Sequence, residues 1–160
     1  MTNRTISGQI EEAMARGETA EQLLARILVH FDGQSGTIHR YDGSSANLHL
    51  VAQIGVPEVL LDKVSVIPIG KGIAGAAALE RRPVTICNIQ TDTSGVAKPG
   101  AKLTGMSGAL AVPILIEGEL HGTLGVGKRA EHTWSETEIA AIERIAAQVG
   151  SLFSSTGPAS

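Results

Sequence analysis

Two of the five histidines, His39 and His49, fall in an apparent β-hairpin around the polar turn at residues 42–46. If the hairpin is symmetric about Ser44, the two side chains face each other across the strands. Such a pair supplies two ligands to zinc or copper, too few for a metal site by themselves. We therefore interpret the pair as polar residues on a solvated face of the sheet, and we predict no metal and no cofactor.

The chain has a single cysteine, Cys87. One thiol excludes an internal disulfide and any zinc or iron–sulfur site built from several cysteines. Cys87 lies within a predicted strand at residues 84–89, where cysteine usually packs as a small core residue. No histidine is near it in sequence, and no G-x-S-x-G nucleophile elbow occurs. We predict that the chain has no catalytic residue.

Two glycine-rich runs match nucleotide-binding patterns only in part. Residues 70–75 read G-x-G-x-x-G, but a dinucleotide fold also needs a further parallel strand ending in an acidic residue about 20 positions on. Asp92 is at that distance, yet it lies in a loop. Residues 122–128 match the start of a P-loop, but Arg129 replaces the hydroxyl residue that would bind magnesium. We interpret the first run as a tight turn and the second as a strand.

Composition limits the remaining classes. The 160 residues fit one domain, with 42% hydrophobic and 18% charged residues. A net charge of −3 and 2% aromatic residues argue against a nucleic-acid partner or an anionic membrane surface. Acidic residues within the first 30 positions argue against a secretory signal, and apolar runs are too short for a membrane span. We expect a cytoplasmic protein.

Hydrophobic periodicity predicts an α+β domain, because helices at both ends enclose hairpin-connected strands. Capping boxes at Thr19–Gln22 and Ser135–Glu138 mark two helix starts. We expect one domain over residues 1–153, with an N-terminal helical extension, and a disordered tail at 154–160. The expected helices span residues 7–16, 19–31, 76–82 and 135–153, with one turn in 57–63; the expected strands span 36–41, 47–55, 64–69, 84–89, 109–116 and 119–128.

Six segments in this order resemble a GAF domain, and the resemblance runs from about Thr19 to Leu152. The segments are LHLVAQIG (48–55), IGKGIAGAA (69–77), RPV (82–84), AVPI (111–114), GELHGTL (118–124) and WSETEI (134–139). The resemblance implies a central antiparallel sheet of about six strands, with terminal helices on one face and a ligand cavity on the other. Members bind cyclic nucleotides, tetrapyrroles, amino acids, 2-oxo acids or small anions. Most are sensors, and a few are enzymes.

The free methionine-R-sulfoxide reductases form one enzymatic branch of similar length. Where that branch carries cysteines, this chain has Ala74 and, as best aligned, Lys102. Its acidic cavity residues fall on Ala109, Gly125 and Gly127. We therefore expect no reductase activity. The proximal histidine of haem-binding relatives and the cysteine and aromatic residues of bilin-binding relatives are also missing.

The resemblance and strand alternation together predict the cavity lining. On this register Leu124 and Val126 pack under the terminal helices, and the opposite face lines the cavity. The helix start after residue 70 offers backbone N–H groups to an anion, and Lys71, Lys98 and Lys102 would add positive charge. The predicted ligand-binding residues are Gly70, Lys71, Gly72, Ala74, Ala109, His121, Thr123, Gly125 and Gly127.

The sequence thus favours a small-molecule-binding sensory or regulatory module without catalysis, whose ligand is a small anion held beneath the 90–108 segment. The alternatives are a divergent redox or other GAF-type enzyme and a purely structural dimerisation module. We also expect a homodimer through the terminal helices and a signalling protein as partner. The basis for the dimer is the apolar helix surface at Ile10, Met14, Leu23, Ile142 and Val149.

Overall fold

A computed structural model describes residues 5–90 and 105–154. The helices are α1 (Ile6–Ala15), α2 (Ala20–Phe31), α3 (Leu61–Ser65), α4 (Gly72–Glu80) and α5 (Glu136–Ser154), with a 3₁₀ turn at Glu58–Leu60. The strands are β1 (Ser35–Asp42), β2 (Asn47–Ile54), β3 (Val66–Pro68), β4 (Val84–Ile86), β5 (Gly108–Ile116) and β6 (Glu119–Lys128). They form one sheet in the order β3-β2-β1-β6-β5-β4, and every neighbouring pair is antiparallel. This is the α+β fold that the sequence predicts.

Helices α2 and α5 pack on one face of the sheet, and α1 packs against both of them; together they enclose the main core. Local signals start and end them. Both predicted capping boxes form, at Thr19–Gln22 and Ser135–Glu138, and Asp32 ends α2 in the left-handed conformation. The core residues include Ile10, Leu23, Leu24, Ile27, Ile38, Leu124, Val126, Ile142, Ile145 and Val149.

The β5–β6 hairpin carries the alternation that separates the two faces. Glu117 and Gly118 form the turn, and both have positive φ, as a type I′ turn requires. This turn type matches the twist of the two strands. Leu124 and Val126 join the core under the terminal helices, as predicted. The intervening Gly125 is on the opposite face, where an added Cβ would lie 3.1 Å from Thr37 Oγ1.

Helix α4 begins at Gly72, four residues earlier than predicted, so the glycine-rich run forms its first turn. Strand β4 ends at Ile86, so the interpretation of Cys87 as a mid-strand core residue is wrong. Cys87 is exposed; its Sγ lies 3.7 Å from Thr133 Oγ1, and its carbonyl accepts a hydrogen bond from the His132 N–H.

The expected pairing of His39 with His49 is also wrong. Asp42 pairs with Asn47, so the turn is centred between Ser44 and Ser45 and not on Ser44. In that register His39 lies opposite Leu50 and Arg40 lies opposite His49, and a β-bulge follows between Ile38 and His39. His39 is 1% exposed and therefore does not lie on a solvated face.

Most of the helix surface that suggested a dimer is buried within a single chain. Four of its five residues, Ile10, Leu23, Ile142 and Val149, are fully buried within one chain, and Met14 is half-buried. The dimer itself stays a prediction. Of the described helices, none has the length and apolar character needed to cross a membrane.

Candidate functional site

A cavity of about 620 Å³ lies on the sheet face opposite the terminal helices. Its floor is formed by β1, β5 and β6, and its sides by α3, β3 and the start of α4. The floor residues are Ser35, Gly36, Thr37, His39, Ala109, Leu110, Ala111, Gly125, Val126 and Gly127; the sides comprise Val56, Leu60, Lys63, Val64, Ile67, Pro68, Lys71, Gly72, Ile73, Ala74, Ile89 and Met106.

Small residues create part of this space. A Cβ on Gly127 would lie 2.6 Å from Ser35 Oγ and 3.1 Å from Met106 Cγ, so only glycine leaves both side chains where they are. Ala109 and Ala111 lie directly opposite Gly127 and Gly125 on β5. The floor therefore has no large side chain between these two strands, and a ligand can approach the backbone closely.

The charged groups of the described wall are both positive. Lys63 on α3 and Lys71 before α4 line the cavity, and the wall formed by the described residues has no aspartate or glutamate. Both lysines are exposed, so they sit where the cavity meets solvent. These residues attract an entering anion, and none of them presents a carboxylate that would repel it.

The start of α4 borders the cavity through its backbone. Lys71 is the N-cap residue and makes no side-chain capping bond. The N–H groups of Gly70 and Lys71 donate to the carbonyls of Gly75 and Pro68. The N–H groups of the first turn, at residues 72–74, have no acceptor within the helix, and these residues line the cavity. The positive end of the helix dipole adds to their effect on an anion.

His39 is the polar group that the sequence did not assign to the site. Its Nε2 lies 2.7 Å from the carbonyl oxygen of Val64, and only an Nε2–H can donate to a carbonyl. Burial lowers the pKa of His39, partly offset by this hydrogen bond, and a charge on His49 lowers it further. His39 is therefore neutral, with its proton on Nε2. His39 is buried because β1 pairs with a strand on each side and α3 covers this position, a long-range arrangement that the sequence of β1 does not show.

Three predicted residues lie outside the described cavity wall. Gly70 precedes it in the turn. Thr123 is 1% exposed and lies between His39 on β1 and Pro113 on β5. His121 is half-buried at a second bulge, where β6 shifts its register against Ile114 and Leu115, so simple alternation does not apply to it.

The other predicted residues, Lys71, Gly72, Ala74, Ala109, Gly125 and Gly127, all line the cavity. Lys98, Lys102 and the central part of the 90–108 segment lie outside the described residues, as do positions 155–160 of the expected tail. The ends of that segment meet, since the Ile89 N–H donates to the Ser107 carbonyl over 2.6 Å. In the described ranges, no group of three histidine, cysteine or acidic residues is placed to bind a metal ion.

The sequence matches a family model described as GAF domain over residues 13–154. No curated protein matches the sequence. The fold is similar to that of several solved structures.

One is the GAF domain of a phosphoenolpyruvate-protein phosphotransferase from Coxiella burnetii, with a TM-score of 0.77 and 21% identity, covering 91% of this chain and 89% of that one. The corresponding domain from Acinetobacter has a TM-score of 0.76 and 14% identity, covering 95% and 94%. A free methionine-R-sulfoxide reductase from Neisseria meningitidis, solved with its substrate, has a TM-score of 0.72 and 19% identity, covering 92% and 86%. At these identities the likeness concerns the fold alone.

Proposed function

The chain belongs to the GAF domain family, and on that premise we propose that it is a sensory or regulatory module that binds a small anion in the cavity without catalysing a reaction. The observation that carries the proposal is the charge of the wall. Among the described lining residues, the ionised groups are Lys63 and Lys71, and the first turn of α4 adds backbone N–H groups.

The sign of these groups favours an anion over a cation or a neutral apolar ligand. A negative charge near a helix N-terminus gains typically 0.3–1 kcal/mol. The remaining wall is largely apolar, which suits a small organic body attached to the charged group. Of the predicted ligand contacts, we retain those in the wall: Lys71, Gly72, Ala74, Ala109, Gly125 and Gly127.

The absence of catalysis is part of the proposal. The described wall contains no thiol and no carboxylate, and the exposed Cys87 is not among its residues. Thiol–disulfide chemistry would need a resolving partner for the only cysteine. The alternative of a divergent redox enzyme has the fold of the Neisseria reductase in its favour but lacks these groups.

A thermal-shift screen followed by titration calorimetry tests the proposal. The panel contains carboxylates, nucleotides, nitrate and phosphate at constant ionic strength, with neutral apolar compounds as the comparison set. We expect at least one anion to raise the melting temperature. A neutral apolar ligand with every anion inactive would overturn the anionic class, and a protein that binds nothing would favour a structural dimerisation module.

The output of the module is proposed on the resemblance alone. We propose a homodimer and a signalling protein as partner, in the cytoplasm. Light scattering tests the first, and crosslinking in the native host tests the second.

A further inference from the structure

We propose that His39 binds a hydrogen-bond donor of the ligand, which makes that ligand a carboxylic acid carrying a hydroxyl or amino group. The inference rests on the proposed function, because it assigns a chemical class to the anion in the same cavity. It makes His39 a specificity-determining residue, although the sequence pattern placed it on a solvated face of the sheet.

Two orphaned polar atoms lie together in the sheet. His39 on β1 and Thr123 on β6 are direct cross-strand partners, so their side chains are on the same face. Each residue is 1% exposed. Within the described part of the chain, neither His39 Nδ1 nor Thr123 Oγ1 has a hydrogen-bond partner. Buried polar groups are rarely left in this state, and a water molecule or a ligand commonly satisfies them.

The tautomer determines which ligand group fits. Because Nε2 donates to the Val64 carbonyl, Nδ1 carries a lone pair and can only accept. Thr123 lies outside the described cavity wall, so the contact with the ligand falls to His39. A ligand hydroxyl or amino group can donate to its Nδ1. A keto oxygen cannot serve Nδ1, because it has no proton to give.

The acceptor and the cationic groups belong to the same cavity. His39 and Val64 both line it, and Val64 follows Lys63 directly in the chain. A small acid can therefore place its carboxylate toward the lysines and the α4 N-terminus while its donor reaches His39. Inorganic anions such as nitrate satisfy only the first of these contacts.

Matched acids test separately the contact of the carboxylate with the cationic groups and the contact of the ligand donor with His39. Lactate, pyruvate and propanoate share a three-carbon acid but carry a hydroxyl, a keto oxygen or no substituent. The six-carbon set 2-hydroxy-, 2-oxo- and unsubstituted 4-methylpentanoate repeats the comparison in a larger body, and leucine adds the amino group. By calorimetry, we expect the hydroxy or amino acid of at least one set to bind about tenfold more tightly than its keto counterpart.

Two substitutions test the two ring nitrogens of His39 separately. His39→Gln retains a donor near the Nε2 position for Val64 but has no acceptor near Nδ1, whereas His39→Asn has its amide oxygen near the Nδ1 position. We expect discrimination between hydroxy and keto acids to vanish in His39→Gln and to persist in part in His39→Asn. His121→Gln, outside the described wall, should not change it.

The outcomes are distinguishable. If the acids bind but hydroxy and keto forms are equal in the wild type, or inorganic anions alone bind, this inference fails and the anionic function stands. If no anion of any kind binds, both fail. A ¹⁵N NMR spectrum of the free protein showing the His39 proton on Nδ1 would overturn the inference whatever binds. So would strong stability coupling between His39→Gln and Thr123→Val without ligand, because it would mean that the two residues satisfy each other.

Discussion

The Nε2–H of His39 donates to the carbonyl oxygen of Val64 over 2.7 Å, and this bond joins the central strand β1 to the short helix α3. One end of the imidazole thus holds a wall of the cavity against its floor. The other end is free of protein partners among the described residues. A single buried side chain therefore contributes both to the shape of the site and to its polarity.

The buried imidazole should make stability depend on pH. The pKa of His39 is lowered from its ordinary 6.5 in the folded chain, so the unfolded state binds more protons just below pH 6.5. The free energy of unfolding should therefore fall as the pH is lowered through that value. From pH 7.5 to 5.5 the loss due to His39 is at most about 1.4 kcal/mol.

Urea unfolding of the wild type and His39→Gln over this pH range checks the prediction. The pH window lies well above the titration of Glu18, whose pKa the bonds from Arg26 and Arg16 lower to about 2. His49 is the titratable group acting on His39, so His49→Gln is the control. Parallel pH profiles for the wild type and His39→Gln would contradict the prediction.

Gly122 should tolerate no side chain. A Cβ at this position would lie 2.0 Å from the His39 carbonyl oxygen, which is backbone and cannot swing away. We expect Gly122→Ala to lower the free energy of unfolding by about 2 kcal/mol or more. Gly43→Ala, whose Cβ meets only Tyr41 at 3.6 Å, should be nearly neutral in the same urea titration. Equal effects of the two would refute this close approach.

The two wall lysines should determine anion affinity. Removing one of two positive charges at the cavity should weaken binding of whichever anion the screen identifies by about threefold to tenfold, and the double variant Lys63→Ala/Lys71→Ala should lose more. Arg144→Ala removes an exposed charge from α5, which packs on the opposite face of the sheet, and serves as the control. Calorimetry at two salt concentrations measures the effect. An affinity that only Arg144→Ala alters would place the site elsewhere.

Free methionine-R-sulfoxide should not be reduced. By the resemblance, Ala74, Ala109, Gly125 and Gly127 of the described wall stand where the reductase branch has a thiol or acids, and Cys87 is exposed outside this wall. An assay coupled to a thiol reductant should give only background turnover. Turnover that disappears in Cys87→Ser would show that the protein is an enzyme.

A dimer through the terminal helices must use residues that remain exposed. Val29 on α2 is 83% exposed and is the clearest apolar position available there. We expect Val29→Asp to shift the mass measured by light scattering from dimer to monomer. Val59→Asp is the matched control, since Val59 is 76% exposed on the 3₁₀ turn near the cavity. A wild-type protein that is monomeric at micromolar concentration would contradict the predicted dimer.

The sequence by itself determined what depends on near neighbours along the chain. The capping boxes at Thr19 and Ser135, the end of α2 at Phe31 and the two-residue connection between β5 and β6 each need only a few adjacent residues, and all form as predicted. The alternation of Leu124 and Val126 also survived, because a period of two continues along a regular strand.

Tertiary structure decided the features that depend on a second strand. The β1–β2 register places His39 opposite Leu50 and not His49, and the bulge near His121 breaks the alternation that would have turned that residue into the cavity. Register and bulges both depend on how two strands share their hydrogen bonds, so neither strand carries the signal alone. The polar chemistry of the site depends on His39, a residue that only the tertiary structure places there. The sequence alone already indicated the family.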